Sequence, residues 1–71
     1  MINTAKVRGR MAEKEETMQS LAPKIPCSPY TLGQQISNKK QMTITTAEKL
    51  ADILNITDEE FPEFFLHKKL Q

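Results

Sequence analysis

Seventy-one residues allow a single domain, close to the lower size at which one hydrophobic core suffices. Ten Lys and Arg against nine Asp and Glu leave the chain almost neutral, without the basic excess usual in free nucleic-acid binders. One cysteine, Cys27, excludes an internal disulfide and a cysteine-built metal site. With no run long enough for a membrane span and no apolar signal stretch, a reducing cytoplasm is the expected compartment.

In chain order, Thr4 is expected to cap a first helix over 5–14, with Val7 and Met11 inward and four apart. Gly9 inside it costs about 1 kcal/mol relative to Ala, tolerable if another helix packs closely there. Glu15 and Glu16 form the connection to Thr17, which caps a second helix. Leu21, Ala22 and Ile25 fall on one face of that helix. Pro23 lacks an N–H and crowds the preceding turn, so a kink or early end is expected there. Ser28 then caps a third helix with Pro29 in its first turn. Leu32 and Ile36 face inward, Gly33 weakens the middle, and Asn38 closes the helix in the left-handed conformation.

Lys39, Lys40 and Gln41 make a polar connection, and Met42 is a core plug. Thr43 opens the most strongly patterned helix, in which Ile44, Ala47, Leu50, Ala51 and Leu54 form an inward stripe. Asn55 ends it and Ile56 packs back. Thr57 and Glu60 have capping-box spacing, and Pro62 is expected to interrupt the helix that follows. Phe61, Phe64, Phe65 and Leu66 bring most of the aromatic mass; Phe64, Phe65 and Leu66 either close the core, as is expected of most of them, or form a dimer patch, and residues 67–71 are expected to fray. The pattern predicts a single five-helix, all-α domain spanning 1–71.

Within it, residues 17–38 have the form of a helix-turn-helix: two short helices, a tight turn and a polar outer face on the second. Leu21, Ala22, Ser28, Thr31, Leu32, Ile36 and the stretch 47–56 resemble the lambda-repressor-like, Cro/cI-type helix-turn-helix proteins. The opening run 6–14, Thr31-Leu32, the run 36–39 and the acidic Phe-Phe ending 58–65 are similar to a group of small Cro-like proteins of temperate Gram-positive phages. Among these the similarity points to the anti-repressors that modulate repression. The resemblance implies a DNA- or partner-facing surface at Gln19, Ser28, Pro29, Tyr30, Thr31 and Gln34. It places Lys39 and Lys40 near a loop that contacts the DNA backbone. In such motifs the start of the second helix reads base edges in the major groove, and glutamine pairs two ways with adenine.

Several residues depart from a DNA reader. No charged side chain occurs from Ile25 to Asn38, although phosphate neutralisation supplies most non-specific affinity. Pro29 and Gly33 replace side chains that could read bases, and Glu15 and Glu16 stand where phosphates would approach. These departures argue against autonomous DNA binding, and the resemblance implies as partner the N-terminal helix-turn-helix domain of a phage repressor, blocked or altered in its operator binding within the host bacterial cytoplasm. Glu13, Glu15 and Glu16 then form an acidic rim that imitates phosphate charge. The alternative is a Cro-like repressor that binds operator DNA by itself.

Other residues carry duller readings. Cys27 fits the apolar slot of the turn as a packed, inert thiol, and His67 is a solvated residue. Glu59, Glu60 and Glu63 suit a helix start through the macrodipole rather than catalysis or metal binding. No phosphate loop, nucleophile–base pair or metal-spaced cluster is present. No enzyme activity, cofactor, metal or small-molecule ligand is expected.

Overall fold

Three hydroxyl residues nucleate the middle of the fold. In the computed structural model, which describes residues 2–66, Thr17, Ser28 and Thr43 each accept the backbone N–H three residues on, at 3.1, 3.0 and 3.2 Å. Each satisfies one of the donors that a helix start leaves without an internal partner. They open α2 (Met18–Leu21), α3 (Pro29–Ile36) and α4 (Ile44–Ile53), between α1 (Thr4–Glu13) and α5 (Phe61–Phe65). The protein is all-α, with five α-helices and no strand among the described residues.

Pro23 acts as its chemistry requires. α2 stops after four residues and continues as a 3-10 turn, Ala22–Lys24. Ala22 C=O then accepts the N–H groups of both Ile25 (3.2 Å) and Cys27 (2.9 Å). The Ile25–Pro26 peptide is cis. α4 braces this connection from the far side of the chain, where Lys49 Nζ donates to Ile25 C=O at 2.8 Å. Ile25 is buried and Cys27 is partly buried against the core, so the thiol fills the slot expected of it.

The core runs through every helix. Val7, Leu21, Leu32, Ile36, Leu50, Leu54, Phe61 and Phe65 are fully buried, and no polar or charged residue is buried among those described. Met42 and Ile53 pack against it from the edge. Phe61 and Phe65 stack with ring centroids 4.7 Å apart. Asn38 and Asn55 take φ of 66° and 55°, ending α3 and α4 as the small polar side chain of asparagine permits.

Four local expectations need correction. α1 is capped by Asn3, whose Oδ1 accepts the Lys6 N–H at 3.2 Å. Thr4 is already helical, and its hydroxyl donates to Ile36 C=O at 2.6 Å instead, serving one of the free carbonyls at the end of α3. Gly9 is not a point of close packing: a Cβ there would meet nothing within 4 Å. Ile44 lies at the correct angle for the α4 stripe yet is 37% exposed. Helical side chains lean toward the N-terminus, so the first residue overhangs the end of the covered face. Pro62 begins α5 rather than interrupting it, since a first-turn position needs no N–H. The Thr57–Glu60 box does form, but it closes the turn before α5.

Phe64 and Phe65 close the core, whereas Leu66 turns left-handed at φ 56° and is 49% exposed. The tail expected to fray, 67–71, with His67, lies outside the described residues.

Candidate macromolecule-binding face

The outer surface of α3 is set by two inward side chains. Leu32 and Ile36 are both fully buried, and with a 100° turn per residue this points Gln34 outward, flanked by Tyr30, Thr31 and Ser37, and leaves Gly33 at the side of the helix. Tyr30 stands at the N-terminal end of the outward face with 72% of its surface exposed. It is the most exposed large hydrophobic side chain of the described residues. Gly33 lies at the side of the helix, and none of the described residues requires its missing Cβ, since nothing lies within 4 Å of that position.

The neighbouring hydroxyls are occupied locally. Ser28 Oγ accepts the Thr31 N–H and donates to Thr31 Oγ1 at 2.8 Å. Of that pair, Thr31 keeps a hydroxyl hydrogen for a ligand. Pro29 and Gln19 are exposed, and Gln34 is half-buried. α2, which carries Gln19, packs directly on α3. One adjoining group stands apart: Gln35 Oε1 is covered without a hydrogen-bond donor.

At the other end of α3, Gln34 C=O accepts the N–H groups of Lys39 (2.8 Å) and Lys40 (3.2 Å). These bonds fold the start of the connection back over the helix end, with both lysine side chains exposed. The N-terminal segment is fastened to the same place. Asn38 Oδ1 accepts the Ile2 N–H at 2.7 Å, and its Nδ2 donates to Ile2 C=O at 2.8 Å. Arg8 of α1 consequently reaches Ser37, with Nη2 3.4 Å from Oγ. Arg8 was absent from the surface implied by sequence, because its partner lies 29 positions away.

The acidic residues are more dispersed than a continuous rim requires. Glu13 pairs with Arg10 at 3.2 Å. Glu16 accepts from Ser20 Oγ at 2.5 Å and from Lys24 Nζ at 3.1 Å. The Ser20 hydroxyl first, and the Lys24 ammonium after it, hold the Glu16 carboxyl below the ordinary glutamate range, against a smaller opposing effect of burial. Glu15 alone of the three has a side chain without a polar partner among the described residues, and its backbone is left-handed at φ 57°.

No group of three or more His, Cys, Asp or Glu among the described residues could hold a metal ion. No helix among them is long and apolar enough to cross a membrane. Comparison with protein-family models, with curated proteins and with solved structures found no match.

Proposed function

We propose that residues 17–38 form a helix-turn-helix of the Cro/cI type, and that the chain is a phage regulator acting on the repressor of the lysis–lysogeny switch. In this reading the N-terminal half of α3 grips the repressor's DNA-binding domain and weakens its hold on the operator. The resemblance of the sequence supplies the partner class. The observation that carries the choice of a protein over a base edge is Tyr30. It is 72% exposed on a helix that bears no charge, and exposed tyrosines of this kind are favoured anchors of protein interfaces.

Gly33 supports the same reading. A glycine in a helix costs about 1 kcal/mol relative to alanine, and here no neighbour within the chain offsets that cost. Bare backbone one turn from Tyr30 lets a partner approach closely. Of Glu13, Glu15 and Glu16, Glu15 is the one free to meet a basic repressor surface, because Glu13 and Glu16 are already paired.

The test is a titration of repressor–operator complex with this protein, followed by direct binding to the repressor. Wild type releases operator, and Tyr30→Ala weakens repressor binding by about thirty-fold or more, the scale of an interface hot spot. Gly33→Ala gains stability yet loses affinity. Unchanged affinity of Tyr30→Ala places the contact elsewhere. Operator binding by the protein alone, with no affinity for repressor, replaces this reading with the self-sufficient operator binder.

A further inference from the structure

We infer that Ile2, Asn3 and Thr4 act as a strap that fixes the exit of α3, with Asn38 as its positioning residue, and that releasing the strap loosens the candidate face while the domain stays folded. The entry of α3 is closed locally by Ser28, whose Oγ accepts the Thr31 N–H. Its exit is different. Gly33, Gln34 and Gln35 C=O are served by the amides that follow, but Ile36 C=O takes its donor from the Thr4 hydroxyl at 2.6 Å, 32 positions away. Carbonyls at a helix end need outside donors, because the helix itself supplies none.

Asn38 makes the strap reciprocal. Its Oδ1 accepts the Ile2 N–H at 2.7 Å and its Nδ2 donates to Ile2 C=O at 2.8 Å, so one side-chain amide satisfies both backbone groups of Ile2. Asn38 is exposed and fills no space in the core. Asn55 is the fitting comparison. It ends α4 in the same left-handed conformation, at φ 55° against 66°, yet its side chain holds no hydrogen bond among the described residues. Tolerance of that conformation accounts for Asn55, whereas Asn38 adds a tether between distant parts of the chain.

Asn3 extends the strap, since its N–H donates to Phe64 C=O at 2.8 Å and its Oδ1 caps α1. Residues 2, 3, 4 and 38 contribute none of the fully buried side chains. Their bonds therefore open at the edge of the fold, as a local event below global unfolding. What the strap positions is Gln34, the side chain that points most directly outward from α3. Its C=O belongs to the same exit, accepting from Lys39 and Lys40 N–H. Fraying of the last turn moves Gln34 and leaves Tyr30, in the first turn, in place. The consequence for the partner rests on the reading of α3 given above; the strap does not.

Amide hydrogen exchange of the intact protein, followed by NMR, tests the strap with no partner present. Asn38→Gly keeps a backbone suited to φ 66° and removes both bonds to Ile2. It speeds exchange at Ile2, Ser37 and Lys39 by about tenfold or more, and at Leu54 of α4 by less than about threefold. Thr4→Val speeds Ser37 and Lys39 likewise, and Thr4→Ser restores them. Asn55→Gly leaves the α3 exit unchanged. Repressor affinity falls by about fivefold in Asn38→Gly and is unchanged in Asn55→Gly. Unchanged exchange at the exit, or equal acceleration at Leu54, overturns the strap. A loosened exit with wild-type repressor affinity overturns the positioning role. A wild-type protein that ignores repressor refutes the partner instead, and the exchange pattern still decides the strap.

Discussion

Arg8 and Arg10 stand two residues apart on the same helix and have opposite fates. Arg10 is spent on the fold. Its Nη1 donates to Leu54 C=O at 3.0 Å and Asn55 C=O at 3.1 Å, its Nη2 pairs with Glu60 at 2.9 Å, and its Nε pairs with Glu13. The guanidinium also lies 5.1 Å from the centre of the Phe64 ring. It therefore closes the end of α4, where carbonyls lack helical partners, and ties α1 to the turn before α5. Arg8 holds one weak contact to Ser37 and keeps its charge available. Identical side chains on one helix thus differ in how far the fold engages them. What separates them is the surface that the tertiary fold places opposite each.

The largest test of this contrast is Arg10→Ala. Loss of charge-assisted bonds to two carbonyls and a carboxylate should cost about 2–3 kcal/mol, measured by urea denaturation. A loss below about 0.5 kcal/mol would show the node to be ornamental and the contrast false. Gly9→Ala comes next. It lies between the two arginines, and its new methyl meets nothing, so the helix should gain about 1 kcal/mol. Destabilisation there would mean that a surface approaches α1 which this structure does not show.

Acid sharpens the comparison further. Glu60 is held below the ordinary glutamate range, foremost by the Thr57 backbone N–H, with Arg10 adding to it and burial opposing. A carboxylate lowered on folding contributes stability that is fully present above its unfolded value and lost as pH falls through the lower folded one. The acid limb of the denaturation midpoint below pH 4.5 should therefore flatten in Glu60→Gln. An identical limb in both proteins would remove Glu60 from the node. The smallest expected effect belongs to Arg8→Ala, which should change stability by less than about 0.5 kcal/mol because its one contact is exposed. A large loss of stability would make Arg8 a second structural arginine.

Local chemistry made much of the helix framework legible beforehand. Thr17, Ser28 and Thr43 cap as expected because a cap needs only a hydroxyl and an N–H three residues away. Pro23 truncates α2 and Asn38 turns α3 off for equally local reasons. Where two local solutions competed, sequence could not rank them. Asn3 and Thr4 can both cap α1, and Thr4 lost the role because Ile36 C=O, 32 residues away, engages its hydroxyl. Ile44 shows the limit of periodicity, which gives the angle of a side chain and not how far along the helix the cover extends.

The candidate face divides along the same line. Its residues on α3 follow from Leu32 and Ile36, since two buried positions orient an entire helix. Adjacency suggests an acidic rim, yet side-chain reach gives Glu13 to Arg10 and Glu16 to Ser20 and Lys24, leaving Glu15 apart. Spacing of Arg10 and Glu13 at three residues could have signalled their pairing. Arg8 beside Ser37 left no such sign.

The sequence by itself determined where the helices lie, the caps of α2, α3 and α4 and most of the apolar faces, because these depend on atoms within a turn of one another. Tertiary structure decided which charges remain free. Ion pairs and carbonyl caps form between residues brought together only after the core has closed, as Arg10 with Glu60 and Arg8 with Ser37 are. The availability of a cation is a property of its surroundings, and those surroundings exist only once the chain has folded.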